Sequence, residues 1–64
     1  MLKETKFKHD ELVIYRLKRE IKGIIMSIIY HSRSYYTYNV QWETGEISSH
    51  KESELISEEE NLRI

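Results

Sequence analysis

The chain has 64 residues, no cysteine, and ten basic against eleven acidic side chains, which gives a formal net charge of −1. This length allows one domain, the absence of cysteine excludes disulfides and thiolate metal ligands, and the balanced charge argues against a dedicated nucleic-acid-binding domain. The longest apolar stretch, residues 24–30, is far shorter than the ~20 residues that span a bilayer, and the mostly charged first eleven residues do not form a signal-peptide core. We therefore expect a soluble cytoplasmic protein with no membrane contact.

Charge is distributed unevenly along the chain. Residues 1–22 carry seven basic and four acidic side chains, whereas residues 43–64 carry two basic and seven acidic ones. Such a split is typical of two solvated ends, or of a basic face beside an acidic tail. We predict a loose arm over residues 1–8, from which Phe7 packs into the core, one folded unit over residues 9–56, and an acidic frayed tail over residues 57–64.

The first three predicted elements are strands. Residues 11–17 are rich in strand formers, and residues 21–30 contain a β-branched run. The polar residues 31–34 suit a hairpin loop, and the third strand covers residues 35–42. Its alternating pattern places four side chains on one inward face, namely Tyr36, Tyr38, Val40 and Trp42.

The remaining elements are shorter. Gly45, in the turn over residues 43–46, is positioned to adopt a positive φ at no steric cost. A fourth strand follows over residues 47–50. Residues 52–56 predict one helical turn near Glu52–Leu55 that leads into a closing strand.

A helix competes with the second strand. The isoleucines between positions 21 and 29 follow helical spacing, so the alternative is an α+β fold with a helix over residues 10–30, capped by Asp10, and a C-terminal β-hairpin. Against this, Gly23 costs about 1 kcal/mol in a helix interior, and β-branched residues lose rotamer freedom there. A strand with a bulge also turns both Ile25 and Ile28 inward. We therefore favour an all-β fold.

Four pieces of sequence, taken in order, carry a family resemblance. They are Asp10 to Val13, Gly23-x-Ile25-x-x-Ile28, Tyr38-x-Val40-x-Trp42-x-x-Gly45, and Glu54-Leu55. Over about residues 8–56 the chain resembles the small SH3-like barrels of the Tudor and KOW type, which implies five short, bent antiparallel strands around one core. Tudor-type barrels hold a methylated lysine or arginine in an aromatic cage at the loops between strands 1 and 2 and strands 3 and 4, and KOW-type modules tend to be basic. Here those two loops contain no aromatic residue and the chain is not basic, so the resemblance implies an architecture rather than an activity.

No pattern predicts catalysis, a metal site or a cofactor. The three histidines, His9, His31 and His50, are not at metal-ligand spacing, and no cysteine accompanies them. Ser48 and His50 share one face of the fourth strand, but the sequence suggests no carboxylate to orient the imidazole and no oxyanion hole. We predict that the protein is not an enzyme.

Two surfaces are candidates for binding. Adjacent Tyr35 and Tyr36 point to opposite faces, so Tyr35 is exposed near the hairpin tip, in an aromatic and basic patch suited to a protein partner. The patch, which we call the tip patch, comprises Tyr30, His31, Arg33 and Tyr35. The alternative is a small nucleic-acid-binding protein that contacts phosphates through Lys18, Arg19, Lys22 and Arg33.

The second strand also suggests self-association. A long isoleucine-rich strand at a sheet edge pairs readily with a second copy of the chain, forming a homodimer, or with an extended peptide. Composition, with neither proline nor alanine, suggests an AT-rich genome and a small accessory protein of bacterial, phage or mobile-element type. The predicted function is thus a non-enzymatic interaction module that binds a protein partner.

Overall fold

The computed structural model describes residues 5–63. Five strands, one 3₁₀ turn and one short helix follow one another along the chain. They are β1 (Leu12–Tyr15), β2 (Lys22–Tyr30), β3 (Tyr36–Trp42), β4 (Ile47–His50), the 3₁₀ turn (Glu52–Glu54), β5 (Leu55–Ser57) and α1 (Glu58–Leu62). The all-β prediction is confirmed, including the helical turn that leads into a closing strand. Within residues 5–63 the only α-helix has five residues, too few to cross a membrane.

The strands form one antiparallel sheet in the order β4-β3-β2-β1-β5. β4 and β5 lie at the two ends of this order, and within residues 5–63 no ladder joins them. The five-stranded arrangement agrees with the expected small barrel, whose closure stays a prediction. β2 lies between β1 and β3, so the prediction that it is an edge strand is wrong over Lys22–Ile24.

The alternative helix over residues 10–30 is absent, since this segment contains β1 and β2. Tertiary packing decides the competition. A Cβ on Gly23 would lie 2.6 Å from Trp42 Cε3 and 2.6 Å from Val40 Cγ1, so the bare glycine backbone is what allows β3 to pack against β2 here. A register shift between Ile25 and Ser27 is the expected bulge, and it leaves Ile25 fully buried and Ile28 packed on the core.

β1 is shorter than predicted. Residues 16 and 17 belong to a turn, because the Lys18 N–H donates to the Tyr15 carbonyl (3.1 Å) and the Ile21 N–H donates to the Lys18 carbonyl (3.0 Å). Leu17 is accordingly 79% exposed. The other strands agree with their predicted limits to within one residue, and Gly45 has the expected positive φ of 96°.

The core is built on β3. All four of the side chains predicted to face inward are buried, because alternate residues of a strand share a face. Phe7 is also buried, as predicted, and its ring packs edge-on against that of Tyr38 with centroids 5.5 Å apart. The core thus extends from β3 into the N-terminal segment.

Parts of the predicted arm and tail make hydrogen bonds within residues 5–63. Residues 1–4 of the predicted arm, and residue 64 of the predicted tail, lie outside the described residues. The Lys6 N–H donates to Glu52 (3.3 Å) and the Phe7 N–H to the Tyr38 hydroxyl (3.2 Å), so this part of the arm is packed. Within the predicted tail, Glu58–Leu62 form α1, because Ser57 accepts the Glu60 N–H (3.0 Å) and acidic residues occupy the first turn, where the helix dipole favours them.

Candidate functional site

Three aromatic rings meet at one end of the sheet, at the ends of three different strands. Tyr15 ends β1, Trp42 ends β3 and His50 ends β4. Their centroids are 5.7 Å apart for Tyr15 and Trp42, 5.5 Å for Tyr15 and His50, and 5.3 Å for Trp42 and His50, with the planes steeply inclined to one another. We call this cluster the ring pocket, since it walls a cavity of about 240 Å³. The cavity is completed by Ile21, Thr44, Glu46 and Ser48.

The local sequence explains why the indole ring lies in this pocket. Gly23 pairs with Trp42 across the β2–β3 ladder, and a side chain at position 23 would meet Trp42 Cε3. The β3–β4 turn closes tightly beyond Trp42, because the Gly45 N–H donates to the Trp42 carbonyl (2.8 Å) and the Trp42 N–H donates to the Glu46 carbonyl (2.8 Å). This turn brings the Glu46 side chain to the rim of the cavity.

A chain of hydrogen bonds fixes two of the three rings. The Trp42 indole N–H donates to Ser48 Oγ (2.8 Å), and Ser48 Oγ lies 2.6 Å from His50 Nε2. His50 Nδ1 in turn lies 3.2 Å from Glu54 Oε1, which also accepts the Lys51 N–H (3.0 Å). With Nδ1 as the donor to the carboxylate, Nε2 accepts the Ser48 hydroxyl proton.

Glu54 corrects the expectation that no carboxylate orients His50. The 3₁₀ turn folds back directly after β4, and it brings position 54 to the imidazole four residues earlier. The resulting hydroxyl, imidazole and carboxylate resemble the order of groups in a hydrolase triad. However, Ser48 Oγ accepts the indole proton of Trp42 while it donates to His50, which holds the hydroxyl between two rings. This series of hydrogen bonds therefore orients the side chains that wall the ring pocket.

The charge at the rim is negative. Glu46 is an exposed side chain that lines the cavity, and Glu54 lies behind His50. Ring faces attract cations, and a nearby carboxylate adds to this attraction. The arrangement thus suits a cationic group with an apolar stem, and it disfavours a phosphate.

A second cluster lies around Glu52, and we call it the Glu52 cluster. Glu52 Oε2 accepts the Tyr36 hydroxyl, the Tyr38 hydroxyl (3.0 Å) and the Lys6 N–H (3.3 Å). The hydrogen bond to Glu52 raises the pKa of Tyr36 above its ordinary value, and burial raises the pKa of Tyr38. Phe7 covers Tyr38, so the tyrosine rings of this cluster belong to the core, while Tyr36 and Glu52 also line a cavity of about 370 Å³.

The structure brings together only part of the predicted tip patch. His31 stacks on Tyr35, with centroids 5.0 Å apart and planes inclined by 30°, and His31 Nε2 lies 3.0 Å from Thr37 Oγ1. Tyr30 instead packs edge-on against Tyr36, at the end of the inner face (6.0 Å). Arg33 is exposed in the loop between β2 and β3. Tyr35 is exposed as predicted, whereas Tyr30 belongs to the other face of the hairpin.

The residues of the predicted phosphate-binding set do not converge. Lys18 and Arg19 lie in the β1–β2 turn and Lys22 begins β2, whereas Arg33 lies beyond the other end of that strand. β2 has nine residues, which span roughly 25–30 Å at about 3.3 Å per residue. Arg33 is therefore separated from the other three cations by the length of the sheet.

Sequence reasoning missed Tyr15, Glu46 and Glu54 as members of a site. The aromatic residues were sought in the loops, but they lie in the last positions of β1 and β3, which flank those loops. The available signal was that Trp42 closes a predicted strand, whereas Tyr15 lies within the predicted first strand and ends it only in the structure. No protein-family model, no curated protein and no solved structure matches this chain. The function must therefore be argued from the site itself.

Proposed function

We propose that this protein is a non-enzymatic interaction module of the cytoplasm, and that its ring pocket receives a cationic side chain of a protein partner. The observation that carries the proposal is the convergence of Tyr15, Trp42 and His50 on one cavity with Glu46 at its rim. A cation over an aromatic face gains about 0.5–2 kcal/mol, and lysine, arginine and their methylated forms also carry an apolar stem for Ile21.

The strand arrangement supports the narrower assignment to SH3-like barrels of the Tudor type. The order β4-β3-β2-β1-β5 and the bulge in β2 agree with five bent strands around one core. The ring pocket lies beside the β1–β2 and β3–β4 loops, with its rings supplied by strand ends instead of loop residues. Position and chemistry therefore both favour recognition of a side chain.

The single tryptophan of the chain makes the proposal directly testable, because it reports from within the pocket. Short peptides that differ only at one central residue (lysine, trimethyl-lysine, arginine or uncharged norleucine) are titrated while Trp42 fluorescence and its indole N–H resonance are recorded. We expect the three cationic peptides to shift the Trp42 signals and norleucine to leave them unchanged. A peptide series with no effect at millimolar concentration would overturn the proposal.

Two carboxylates on the same turn provide a matched pair of variants. Glu46 lines the cavity, whereas Glu43 lies on the neighbouring surface, so Glu46→Gln and Glu43→Gln change the net charge equally. We expect Glu46→Gln to weaken binding of the cationic peptides up to about fivefold, as expected for a charge pair worth as much as 1 kcal/mol, and Glu43→Gln to have a smaller effect. Equal effects would mean that bulk charge, rather than the pocket, attracts the peptides.

The same sample distinguishes the alternatives. Short single- and double-stranded oligonucleotides are added at low and moderate salt. Shifts around residues 18–22 that weaken as salt rises would favour the nucleic-acid alternative, because phosphate contacts release counterions. Peptide-induced shifts confined to His31 and Tyr35 would place the partner site on the tip patch.

A further inference from the structure

The two halves of β2 have different neighbours. Lys22, Gly23 and Ile24 pair with β1 on one side and are flanked by β3 on the other. The backbone contacts on the β1 side of the strand end at Ile25, whose N–H donates to the Glu11 carbonyl (3.0 Å). From Met26 to Tyr30, and within residues 5–63, the strand is paired only with β3. We call this half of the strand the open edge.

A single residue explains why pairing stops there. The Asp10 N–H donates to the Ile25 carbonyl (2.8 Å), and Asp10 itself has a φ of 66°. Aspartate is one of the few residues that adopts this left-handed conformation readily. The chain on its N-terminal side then runs to Phe7, which is buried against Tyr38 rather than along β2. The turn at Asp10 therefore directs Phe7 into the core, and among residues 5–63 no strand lies beside the open edge.

The composition of the open edge favours strand pairing. Its sequence, Met-Ser-Ile-Ile-Tyr, contains no charge, no proline and no glycine. Met26, Ile29 and Tyr30 are each 40–45% exposed. Natural proteins protect such edges with charges, prolines or covering segments, because unpaired backbone groups beside apolar side chains recruit further strands. β4 and β5, at the ends of the sheet, are only four and three residues long and are followed by the charged Lys51 and Glu58.

We propose that a second copy of this chain pairs antiparallel along the open edge, around a two-fold axis at Ile29. This register matches the faces of the two strands. Ile28 and Tyr30 both pair with inward residues of β3, so Ile28 meets the partner subunit's Tyr30. On the outer face, Ile29 meets the partner's Ile29, and Ser27 meets the partner's His31.

Opposite charges at the two ends of the open edge favour a second copy of this chain as the strand that pairs there. In this register the partner's hairpin loop, which carries Arg33, lies at the end of the open edge next to Asp10 and Glu11, whose backbones are bonded to Ile25. The two-fold axis repeats this acidic-to-basic contact at the other end, so one arrangement satisfies both protomers. An unrelated extended peptide has no such built-in match, and the small net charge of −1 offers little repulsion between copies.

Ile29 gives a sharp test because it faces its own copy. Sedimentation equilibrium between about 10 µM and 1 mM measures the dimer dissociation constant of the full chain. We expect the wild type to dimerise, and Ile29→Lys and Ile29→Glu each to weaken dimerisation at least tenfold, since like charges then meet at the axis. Mixing the two variants is expected to restore dimers, because lysine then faces glutamate, and this recovery also shows that both variants are folded.

The control lies on the same face of the same strand. Ile24 is exposed to the same extent as Ile29, at 40%, but β1 occupies its side of the strand. We expect Ile24→Lys to leave the dissociation constant unchanged. A wild-type chain that stays monomeric to 1 mM would overturn the proposal, as would equal effects of Ile24→Lys and Ile29→Lys or a mixture that fails to recover. This outcome is independent of peptide binding at the ring pocket, which lies beside the β1–β2 and β3–β4 loops.

Discussion

Two carboxylates of one 3₁₀ turn, Glu52 and Glu54, hold opposite ends of the same core strand. Glu52 accepts the hydroxyl protons of Tyr36 and Tyr38. Glu54 acts through His50, which connects by way of Ser48 to the indole of Trp42. Both carboxylates therefore connect the turn to aromatic side chains of β3, and both clusters border a cavity, of about 370 Å³ at Tyr36 and Glu52 and about 240 Å³ at the ring pocket.

The difference between the clusters comes from a covering segment, since both are rich in rings and hydrogen bonds. At the Glu52 cluster, Phe7 lies on Tyr38, and the Phe7 N–H donates to the Tyr38 hydroxyl (3.2 Å). At the ring pocket, no described segment packs over Tyr15 in the same way, and Tyr15 is partly buried while the buried Trp42 lines the cavity. The ring of Tyr38 is core because another part of the chain covers it, whereas the three rings of the ring pocket wall a cavity.

The largest effect is expected from removing the cover. Phe7→Ala should reduce the unfolding free energy by about 3–5 kcal/mol, because a fully buried ring is lost and a cavity remains. This loss is comparable with the roughly 3–10 kcal/mol expected for a chain of this length. Urea denaturation followed by Trp42 fluorescence measures it. Leu62→Ala is the control, since Leu62 is 78% exposed, and we expect it to change stability by no more than ~0.5 kcal/mol. A loss below 1 kcal/mol for Phe7→Ala would mean that the N-terminal segment is dispensable for the core.

Alkaline pH should weaken the Glu52 cluster selectively. The folded state raises the pKa of both Tyr36 and Tyr38, so above pH ~10 the unfolded chain loses protons that the folded chain retains. Stability is therefore constant below that pH with respect to these groups, and it falls as pH rises, by up to about 1.4 kcal/mol per pH unit for each tyrosine.

Denaturation curves between pH 8 and 11 test this slope. Lysine side chains titrate in the same range, so the informative quantity is the difference between the wild type and Tyr36→Phe. We expect the variant to lose stability less steeply with pH, because one of the two shifted groups is gone. Parallel slopes would contradict the assignment of the alkaline loss to this cluster.

Much of the strand β3 and its turn could be predicted from sequence, because these features follow from local periodicity. The alternating pattern of β3 predicts that the side chains of Tyr36, Tyr38 and Trp42 are buried. Gly45 predicts the turn over residues 43–46. These features depend on neighbours in sequence. The second strand was also identified correctly against a helix, although the decisive contact, Gly23 beneath Trp42, is visible only in the folded chain.

The parts that sequence reasoning missed depend on contacts between distant residues. The ring pocket requires side chains of β1, β3 and β4 to meet, and no local pattern reports that the Tyr15 and His50 rings lie 5.5 Å apart. The sequence predicts correctly that Glu54 belongs to a helical turn, but no local pattern reports that its carboxylate orients His50. The helix α1 begins at its cap, Ser57. The three glutamates that follow suggest only a solvated segment when they are considered without this serine.

A smaller effect is expected at the ring pocket. Ser48→Ala removes the hydroxyl between the Trp42 indole and His50 Nε2, which should cost about 0.5–1.5 kcal/mol and shift the indole N–H resonance. Ser49→Ala is the matched control, because Ser49 is the next residue but faces outward and donates to Asn39 (2.6 Å). We expect it to leave the indole resonance in place. An unchanged resonance in Ser48→Ala would argue that the indole is held by packing alone.

The smallest effect, and the most direct test of the comparison, is the exchange of each carboxylate for its amide. Glu54→Gln keeps an acceptor for His50 and for the Lys51 N–H, and the Glu54 side chain is 41% exposed, so solvent already screens its charge. We expect a loss between zero and about 1 kcal/mol. Glu52→Gln removes the charge that accepts two partly buried tyrosine hydroxyls, for which about 1–3 kcal/mol is expected. If denaturation shows equal losses for the two variants, then the ring pocket is as much a part of the core as the Glu52 cluster, and the distinction between a covered and an open set of rings fails.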